Sequence, residues 1–461
     1  MGKRATLKRS LGVWAIVALG LGYMTPTVVF DTFGIVSRIS NGVVPLAYLV
    51  GLIVMIFTAI SYGKMVRVFP DAGSAYTYTR RTMGEHAGFL VGWAALLDYL
   101  LLPMVNALII RIYMGSLFPE VPGWVWVFAY VIIVTAINIY SMKSTSGLNL
   151  ILVVFTVALV ATFIVIASIQ LYHGMGEGTV FTINPLWNQD VEMIAVFTAA
   201  TVVAFSFIGF DAITMYTEEA KDADTVPRAI LITVLLGGVI FFIAAYFTQS
   251  LFPDIGVFNL LDDTLPEIGL YVGGQMFQLI FLAGAFAATV ASGLASHASV
   301  SRLLYVMGRN EVLPKRAFGY VHPKFRTPVF TVVLTGIVSL LAIGPDLELI
   351  ASVINFGALI AFTFVNLSVI AYYIFKKKRY KTGKDIFNYL IMPILGAAFT
   401  GILWYHLHAD AFIGGIVWIV VGIIYMLFLT KFFKKKLGTF DSDFEDELIN
   451  KEALKSQMDI F

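Results

Sequence analysis

The residues from Leu11 to Ser37 read LGVWAIVALGLGYMTPTVVFDTFGIVS. This stretch is longer than the about 20 apolar residues that a helix needs to cross a bilayer, but Pro26 stands near its middle. Because proline lacks a backbone N–H and clashes with the preceding turn, we expect the helix to break beside it. Broken backbone inside a membrane is stable only where protein or a water-filled cavity satisfies its polar groups. The break therefore predicts a binding site.

The composition of the whole chain is that of a membrane protein. Of its 461 residues, 59% are hydrophobic and 13% are charged, and the mean hydropathy is +0.86. Apolar segments of this length recur from end to end, which excludes an ordinary soluble domain. Cysteine is absent, which excludes disulfides, thiolate metal sites and cysteine nucleophiles. The basic N-terminus lacks a small-residue cleavage site, so we expect its first helix to be retained.

Hydropathy predicts twelve membrane-spanning helices. They cover residues 11-37, 43-63, 88-117, 124-142, 147-171, 191-218, 228-251, 271-301, 328-345, 348-375, 386-407 and 411-430. The termini and the loops on one side hold all of the 31 Lys and Arg except Arg38 and Arg111. The positive-inside rule therefore predicts a multi-pass protein of the plasma or inner membrane with both termini in the cytoplasm.

The sixth predicted span contains a second interruption, Phe205-Ser206-Phe207-Ile208-Gly209-Phe210-Asp211, in which glycine precedes an acid deep in an apolar run. The interrupted helices are five apart, and an odd repeat length inserts the second copy upside down. We therefore expect a five-plus-five inverted repeat with discontinuous helices one and six. Its parts are a cytoplasmic N-terminus 1-10, repeats at 11-171 and 191-375, two helices at 386-430, and a cytoplasmic tail 431-461.

Two further segments indicate a family. One is SYGKMVRVFP at 61-70, followed by AGSAYTY at 72-78, and the other is FIGFDA at 207-212, followed by Glu218 and Glu219. With these motifs the chain resembles the amino acid-polyamine-organocation superfamily of secondary transporters, except in its tail. YMTP at 23-26 and FDTFG at 30-34 are most similar to bacterial putrescine importers. The resemblance implies an all-α, LeuT-like integral membrane fold that works by alternating access.

The first break favours a cationic substrate. In amino acid carriers of this superfamily it is typically a run of small residues that admits a carboxylate, whereas here Tyr23, Met24, Thr25 and Pro26 occupy it. Carboxylates and aromatic faces suit an ammonium group instead. We therefore expect a transporter that imports a polyamine such as putrescine, driven by protons or by the membrane potential. The alternatives are import or exchange of an amino acid, and a nutrient sensor that does not transport.

Three acids lie inside apolar runs, where an ionisable residue indicates function. Asp31 is the first candidate as ammonium partner or proton carrier, although it could instead pair with Arg38, seven residues further along. Asp211 either contacts substrate or caps the N–H groups of a half-helix. Asp98, next to Tyr99, either lines the pocket or is a structural buried acid.

Asp98 and Arg111 are 13 residues apart, roughly 20 Å along one helix, so these two should not pair directly. The role of Arg111 and the oligomeric state stay open.

The remaining candidates accompany the breaks. The substrate-site candidates beside the second break are Ser206, Phe207, Gly209 and Phe210. Glu218 and Glu219 could close an inner gate or be solvated. Ser292 and Ser296 lie one turn apart, where sodium-coupled relatives place a hydroxyl ligand, although close helix packing also explains them. The fifth span contains no lysine, so a coupling proton would be carried by an acid such as Asp31, Asp98 or Glu219.

Enzyme motifs are missing from the sequence. It contains no phosphate-binding lysine loop, no dinucleotide glycine fingerprint after a strand and no zinc-type histidine pair on a helix. His406 and His408 are two residues apart and point in different directions on a helix. We therefore expect no enzyme activity, cofactor, metal site or nucleic-acid partner.

Overall fold

The protein is described here from a computed structural model. The described residues are 11–70, 74–140, 146–262, 264–309, 312–323, 325 and 327–431, and the side chains of 146–149, 215, 218, 219, 306 and 309 also lie outside the description. Within these residues the regular secondary structure is helical, apart from one isolated parallel bridge between Leu11 and Ala220.

The α-helices follow in chain order. They are α1 (Val13–Met24), α2 (Val28–Ser40), α3 (Val44–Val68), α4 (Ser74–Met83), α5 (Glu85–Leu117), α6 (Gly123–Tyr140), α7 (Ser146–Tyr172), α8 (Met193–Phe207), α9 (Thr225–Leu251), α10 (Leu265–Arg309), α11 (Lys315–Phe318), α12 (Val329–Ser339), α13 (Leu347–Ile370), α14 (Gly383–Ile386), α15 (Met392–Tyr405) and α16 (Ala409–Leu429). Short 3-10 helices cover Ala212–Glu219, Ile255–Val257 and Leu340–Ile343, and π-helical turns cover Ala371–Lys376 and Phe387–Ile391.

The described part contains ten helices that are long and apolar enough to cross a membrane, or eleven when α1 and α2 count as one bent span. Every predicted span overlaps a helix. The predicted ninth span, 328-345, corresponds to α12 and the 3-10 helix after it, which together are shorter than the about 20 residues that a straight crossing needs. The count of twelve therefore stays a prediction.

Three local features differ from the sequence prediction. The third span begins at Glu85 rather than at 88. The eighth begins at Leu265 rather than at 271, because α10 includes a segment before Gly273 and Gly274, whose dihedral angles are not helical. The segment α4, between the second and third spans, was not predicted as a helix. It is too polar for a hydropathy search to find it.

The predicted break in the first span is confirmed. α1 ends at Met24, α2 begins at Val28, and the two axes differ by 48°. Thr25, between them, has a positive φ of 42°, which a helix cannot contain. The backbone N–H of Val28 donates to the carbonyl of Thr25 at 2.9 Å, so part of the freed polar backbone is satisfied within the turn.

The predicted break in the sixth span is also confirmed. α8 ends at Phe207, and Gly209 follows with a φ of +112°, a conformation that side-chain-bearing residues rarely adopt. The chain then forms the 3-10 helix Ala212–Glu219. Beyond it, the N–H of Lys221 donates to the carbonyl of Leu11 at 3.0 Å, so the chain segments before α1 and after the broken sixth helix are joined.

Close helix contacts surround the two breaks. α3 packs against α9, α5 packs against α13, and α2 packs against α8. Gly357 of α13 lies so close to α5 that a Cβ there would come within 2.5 Å of the carbonyl oxygen of Ala94. These contacts place α3, α5, α9, α10 and α13 around the interrupted helices.

Candidate substrate-binding site

The two breaks touch each other. A Cβ on Gly209 would lie 2.6 Å from the Cβ of Tyr23, so only glycine allows the backbone of the second break to approach the first. The hydroxyl of Tyr23 lies 3.0 Å from the hydroxyl of Ser299 on α10. Tyr23 thus connects both breaks with α10.

A pair of buried carboxylates lies beside this contact. Asp98 on α5 and Asp211 after the second break are 7% and 8% exposed, and they are close enough to interact electrostatically. Within the described residues, the Oδ1 atom of Asp98 has no hydrogen-bond partner, and neither does the hydroxyl of the adjacent Tyr99. A buried polar atom without a partner is costly, so these atoms are candidates for contact with a ligand.

Asp211 precedes the 3-10 helix as its N-cap residue. Its carboxylate is near the backbone N–H groups of Gly209 and Ala212, but it forms no capping hydrogen bond to this helix. Its backbone carbonyl instead accepts hydrogen bonds from the N–H of Thr214 at 2.9 Å and from the Thr214 hydroxyl at 2.7 Å. The carboxylate thus lies beside backbone N–H groups at the start of the 3-10 helix, and both roles that the sequence offers, capping and substrate contact, stay predictions.

Tyrosine and phenylalanine rings enclose the carboxylate pair. Tyr62 of α3 interacts electrostatically with both acids, and its hydroxyl lies 3.5 Å from that of Ser74. Phe210 meets the ring of Tyr62 edge-on, with the centroids 5.6 Å apart. Tyr99 interacts electrostatically with the same two acids. Aromatic faces next to carboxylates can bind both the charge and the methylene chain of an organic cation.

Asp31 lies in the first turn of α2 and is 3% exposed. Its Oδ1 accepts a hydrogen bond of 2.7 Å from the hydroxyl of Tyr113 on α5. Arg38 is bonded to Glu348 on α13 instead. The alternative in which Asp31 pairs with Arg38 is therefore wrong for this conformation, because α13 supplies the partner of Arg38.

A chain of three hydroxyl groups connects α2, in the first broken helix, with α8, in the second. The hydroxyl of Tyr48 on α3 lies 3.0 Å from that of Ser206 on α8 and 3.3 Å from that of Thr32 on α2. All three residues are buried. Ser206 therefore connects the two half-helices through α3.

Of three further predicted site residues, two have packing contacts. Met24 is buried against α9, where a Cβ on Gly237 would lie 2.6 Å from its Cε atom. Phe207 is fully buried and meets Phe241 edge-on at 5.4 Å. Thr25, which has the positive φ, is half-buried. Contact of these residues with a substrate stays a prediction.

The predicted gating and coupling residues are less well defined. Ser292 and Ser296 on α10 are buried, and the hydroxyl of Ser296 donates to the carbonyl of Gly293 in its own helix at 3.2 Å. The side chains of Glu218 and Glu219 lie outside the described residues, so their gating role stays a prediction.

Arg111 has a clear structural role. It donates to the carbonyl of Ile343 at 2.5 Å and to that of Pro345 at 3.1 Å. These carbonyls lie at and just after the C-terminal end of a 3-10 helix, where a cation satisfies unpaired acceptors. Arg111 is thus not the partner of Asp98, as their spacing predicted.

A polar cavity of about 810 Å³ lies away from the breaks, at the C-terminal end of α2. Its walls come from that helix end and from two loops, and they include Arg38, Glu177, Asp190, Gln249 and Asp254. The loops 172-190 and 252-270 contain acids but no Lys or Arg. The cavity is therefore a polar vestibule, and neither Asp98 nor Asp211 lines it.

Sequence reasoning missed four residues that complete the site: Tyr48, Tyr62, Tyr113 and Ser299. They lie on α3, α5 and α10, and each contacts at least one residue that is far away in sequence. The available signal was a polar hydroxyl within an apolar span, but this chain contains many such residues.

Comparison with known proteins agrees with this architecture. The model of the amino acid permease family matches residues 15–438. The chain belongs to the amino acid permease family. This permease is 47% identical to the low-affinity putrescine importer PlaP of Escherichia coli over 439 residues, which are 95% of this chain and 97% of the relative. It is 25% identical to the branched-chain amino acid permease BcaP of Bacillus subtilis over 92% of this chain and 94% of the relative. It is 26% identical to the methylthioribose transporter of the same organism, over 93% and 95%.

The permease is therefore a membrane transport protein, as the motifs at 61-78 and 207-219 indicated. Relatives at about 25% identity carry different solutes, as their names state, so family membership alone does not define the substrate. The substrate has to be inferred from the side chains around the breaks.

Proposed function

We propose that this permease imports putrescine or a closely similar diamine by alternating access. The identity of 47% with a putrescine importer, over nearly the full length of both chains, supports this substrate class. The branched-chain amino acid permease in the comparison is about half as similar, at 25% identity.

The observation that carries the proposal is the charge of the site. Asp31, Asp98 and Asp211 are all buried, and within the described residues none of them forms an ion pair with Lys or Arg. Buried carboxylates without a counter-charge are strongly destabilising. A bound dication would supply the missing positive charge, whereas a zwitterionic amino acid would add a further carboxylate.

The first break also disfavours an amino acid. Tyr23 and Met24 fill it with side chains, and Pro26 removes one N–H donor that could bind a carboxylate. Import or exchange of an amino acid is the second candidate. It is favoured only because relatives in this family include amino acid permeases.

The architecture proposed for this function has twelve helices. Two inverted repeats of five helices cover 11-171 and 191-375, and α15 and α16 follow them. Both termini lie on the cytoplasmic side of an inner or plasma membrane, because the basic loops lie on the same side as the termini. The matched breaks five helices apart support this arrangement.

The driving force is proposed to be the membrane potential, with or without a proton. An inside-negative potential favours entry of a cation by about 2.3 kcal/mol per charge per 100 mV. Asp31, Asp98 and Glu219 are the candidate proton carriers. Sodium coupling would need a ligand such as Ser292, and it is the less favoured candidate.

Competition binding tests the substrate class. Labelled putrescine is bound to the purified permease in the presence of cadaverine, spermidine, leucine, alanine or glutamate in excess. Displacement by the diamine and not by the amino acids would support the proposal, and displacement by an amino acid would favour the second candidate. A sensor would bind putrescine in this assay but would show no uptake after reconstitution.

A further inference from the structure

We infer that Asp98 and Asp211, together with the hydroxyl of Tyr99, bind one ammonium group of the substrate, and that Asp98 selects a diamine over a monoamine. The inference rests on the proposed function and assigns a part of the site to one end of the substrate. It concerns a centre distinct from Asp31, whose Oδ1 is already bonded to Tyr113.

Unused hydrogen-bonding capacity is the first argument. Asp98 is 7% exposed, yet its Oδ1 has no partner among the described residues. The hydroxyl of the next residue, Tyr99, is likewise buried and unpartnered. An ammonium group has three N–H donors and no acceptor, so it can satisfy both of these oxygen atoms.

Charge is the second argument. Asp211 lies within electrostatic reach of Asp98, and Tyr23, Tyr62 and Tyr99 interact electrostatically with one or both acids. Arg302 interacts with Tyr23, but within the described residues no ion pair joins Lys or Arg to Asp98 or Asp211. Two neighbouring carboxylates in a site lined by tyrosines form a cation-binding centre.

Shape is the third argument. Gly357 allows α13 to pack closely against α5 beside Asp98. A Cβ on Gly357 would lie 3.3 Å from the backbone nitrogen of Asp98. The rings of Phe210 and Phe362 pack against each other and against Tyr62, with centroids 5.1 to 6.1 Å apart. This rigid aromatic wall can contact the methylene chain while the carboxylates bind the charged end.

Asp98 is the residue that can confer selectivity. A diamine places a second charge where a monoamine of equal length ends in a methyl group. A monoamine whose ammonium group binds at Asp31 leaves Asp98 and Asp211 uncompensated, whereas a diamine reaches both ends of the site. Removing Asp98 therefore weakens binding of the diamine more than binding of the monoamine.

The test compares putrescine with n-butylamine. Dissociation constants of both are measured on the purified permease, as wild type and as the variants Asp98→Asn, Asp98→Glu and Tyr99→Phe. Asp410→Asn, which changes an exposed acid in the first turn of α16, is the matched control. Melting temperature and size-exclusion profile verify that each variant is folded.

We expect Asp98→Asn to lower the preference for putrescine over n-butylamine by about 10- to 100-fold, which is typical of a lost hydrogen bond to a charged group. Asp98→Glu should restore part of the preference, Tyr99→Phe should reduce it less, and Asp410→Asn should leave it unchanged. An unchanged preference in a folded Asp98→Asn protein would overturn the inference.

The same experiment separates this inference from the proposed function. Agmatine, measured as a third ligand on the same proteins, makes the distinction. If wild type binds agmatine but not putrescine, the proposed substrate is wrong, and loss of agmatine binding in Asp98→Asn would still support the carboxylate centre. If wild type binds putrescine and Asp98→Asn binds it equally well, the substrate stands and the carboxylate centre is rejected.

Discussion

Gly209 and Tyr23 are in direct contact, and this contact joins the interruptions of two helices that are nearly two hundred residues apart in sequence. A Cβ at position 209 would lie 2.6 Å from the Cβ of Tyr23, and the φ of Gly209 is +112°. Both the close approach and the dihedral angle require glycine. The meeting of the breaks is therefore a consequence of the sequence at one position.

Replacing this glycine should disrupt the site. We expect Gly209→Ala to lower stability by about 1–3 kcal/mol, because of overpacking against Tyr23 and a strained φ, and to abolish uptake. Gly401→Ala is the control, because no atom lies within 4 Å of its added methyl group and α15 continues through it. Thermal unfolding and uptake are measured on both proteins. Wild-type uptake by Gly209→Ala would show that the close approach is dispensable.

The sequence was sufficient to locate both breaks, because proline and glycine act on the backbone locally. Pro26 and Gly209 disturb a helix whatever surrounds them. The segment α4 and the kink at Gly273 and Gly274 were missed, because hydropathy reports only whether a segment is apolar.

The partners of the acids could not be predicted in the same way. Asp31 is bonded to Tyr113, 82 residues away, and Arg38 to Glu348, 310 residues away. Sequence spacing along one helix suggested Arg38 for Asp31, but the packing of α5 and α13 decides which side chains meet. Such contacts depend on the tertiary arrangement and leave no local pattern.

Asp31 is proposed as a second anionic group of the site, and its bond to Tyr113 should position it. We expect Asp31→Asn to abolish putrescine binding while the protein stays folded. Tyr113→Phe should weaken binding by about tenfold, because the carboxylate loses its one described donor.

The double variant is the control for this assignment. If the hydroxyl of Tyr113 acts through its bond to Asp31, the change that Tyr113→Phe causes in the free energy of unfolding should disappear in the Asp31→Asn background. The free energy of unfolding is measured for all four proteins, and the affinity of wild type and the single variants is measured by equilibrium binding of labelled putrescine. Unchanged affinity in Asp31→Asn would remove Asp31 from the binding site.

The ion pair between Arg38 and Glu348 links the C-terminal end of α2 to the first turn of α13. Because Arg38 is half exposed, its contribution should be small, at about 1 kcal/mol or less. We expect Arg38→Gln and Glu348→Gln each to change uptake less than tenfold, and the swapped pair Arg38→Glu with Glu348→Arg to recover most of the activity.

Labelling can report whether this ion pair holds α2 and α13 together. The chain contains no cysteine, so a single cysteine at Ser37, which is buried beside Gln249, reports exposure without background. Its labelling should be faster in the Arg38→Gln background. Equal labelling rates in both backgrounds would mean that the ion pair does not restrict opening.

Uptake of labelled putrescine into proteoliposomes under an imposed inside-negative potential tests the central claim most directly. For two charges, 100 mV corresponds to about 4.6 kcal/mol, or an accumulation of roughly 2,000-fold. The account predicts saturable uptake whose dependence on the potential corresponds to at least two charges per putrescine molecule. Excess leucine or alanine should leave this uptake unchanged. Uptake no greater than that of protein-free vesicles, or uptake that an amino acid abolishes, would contradict it.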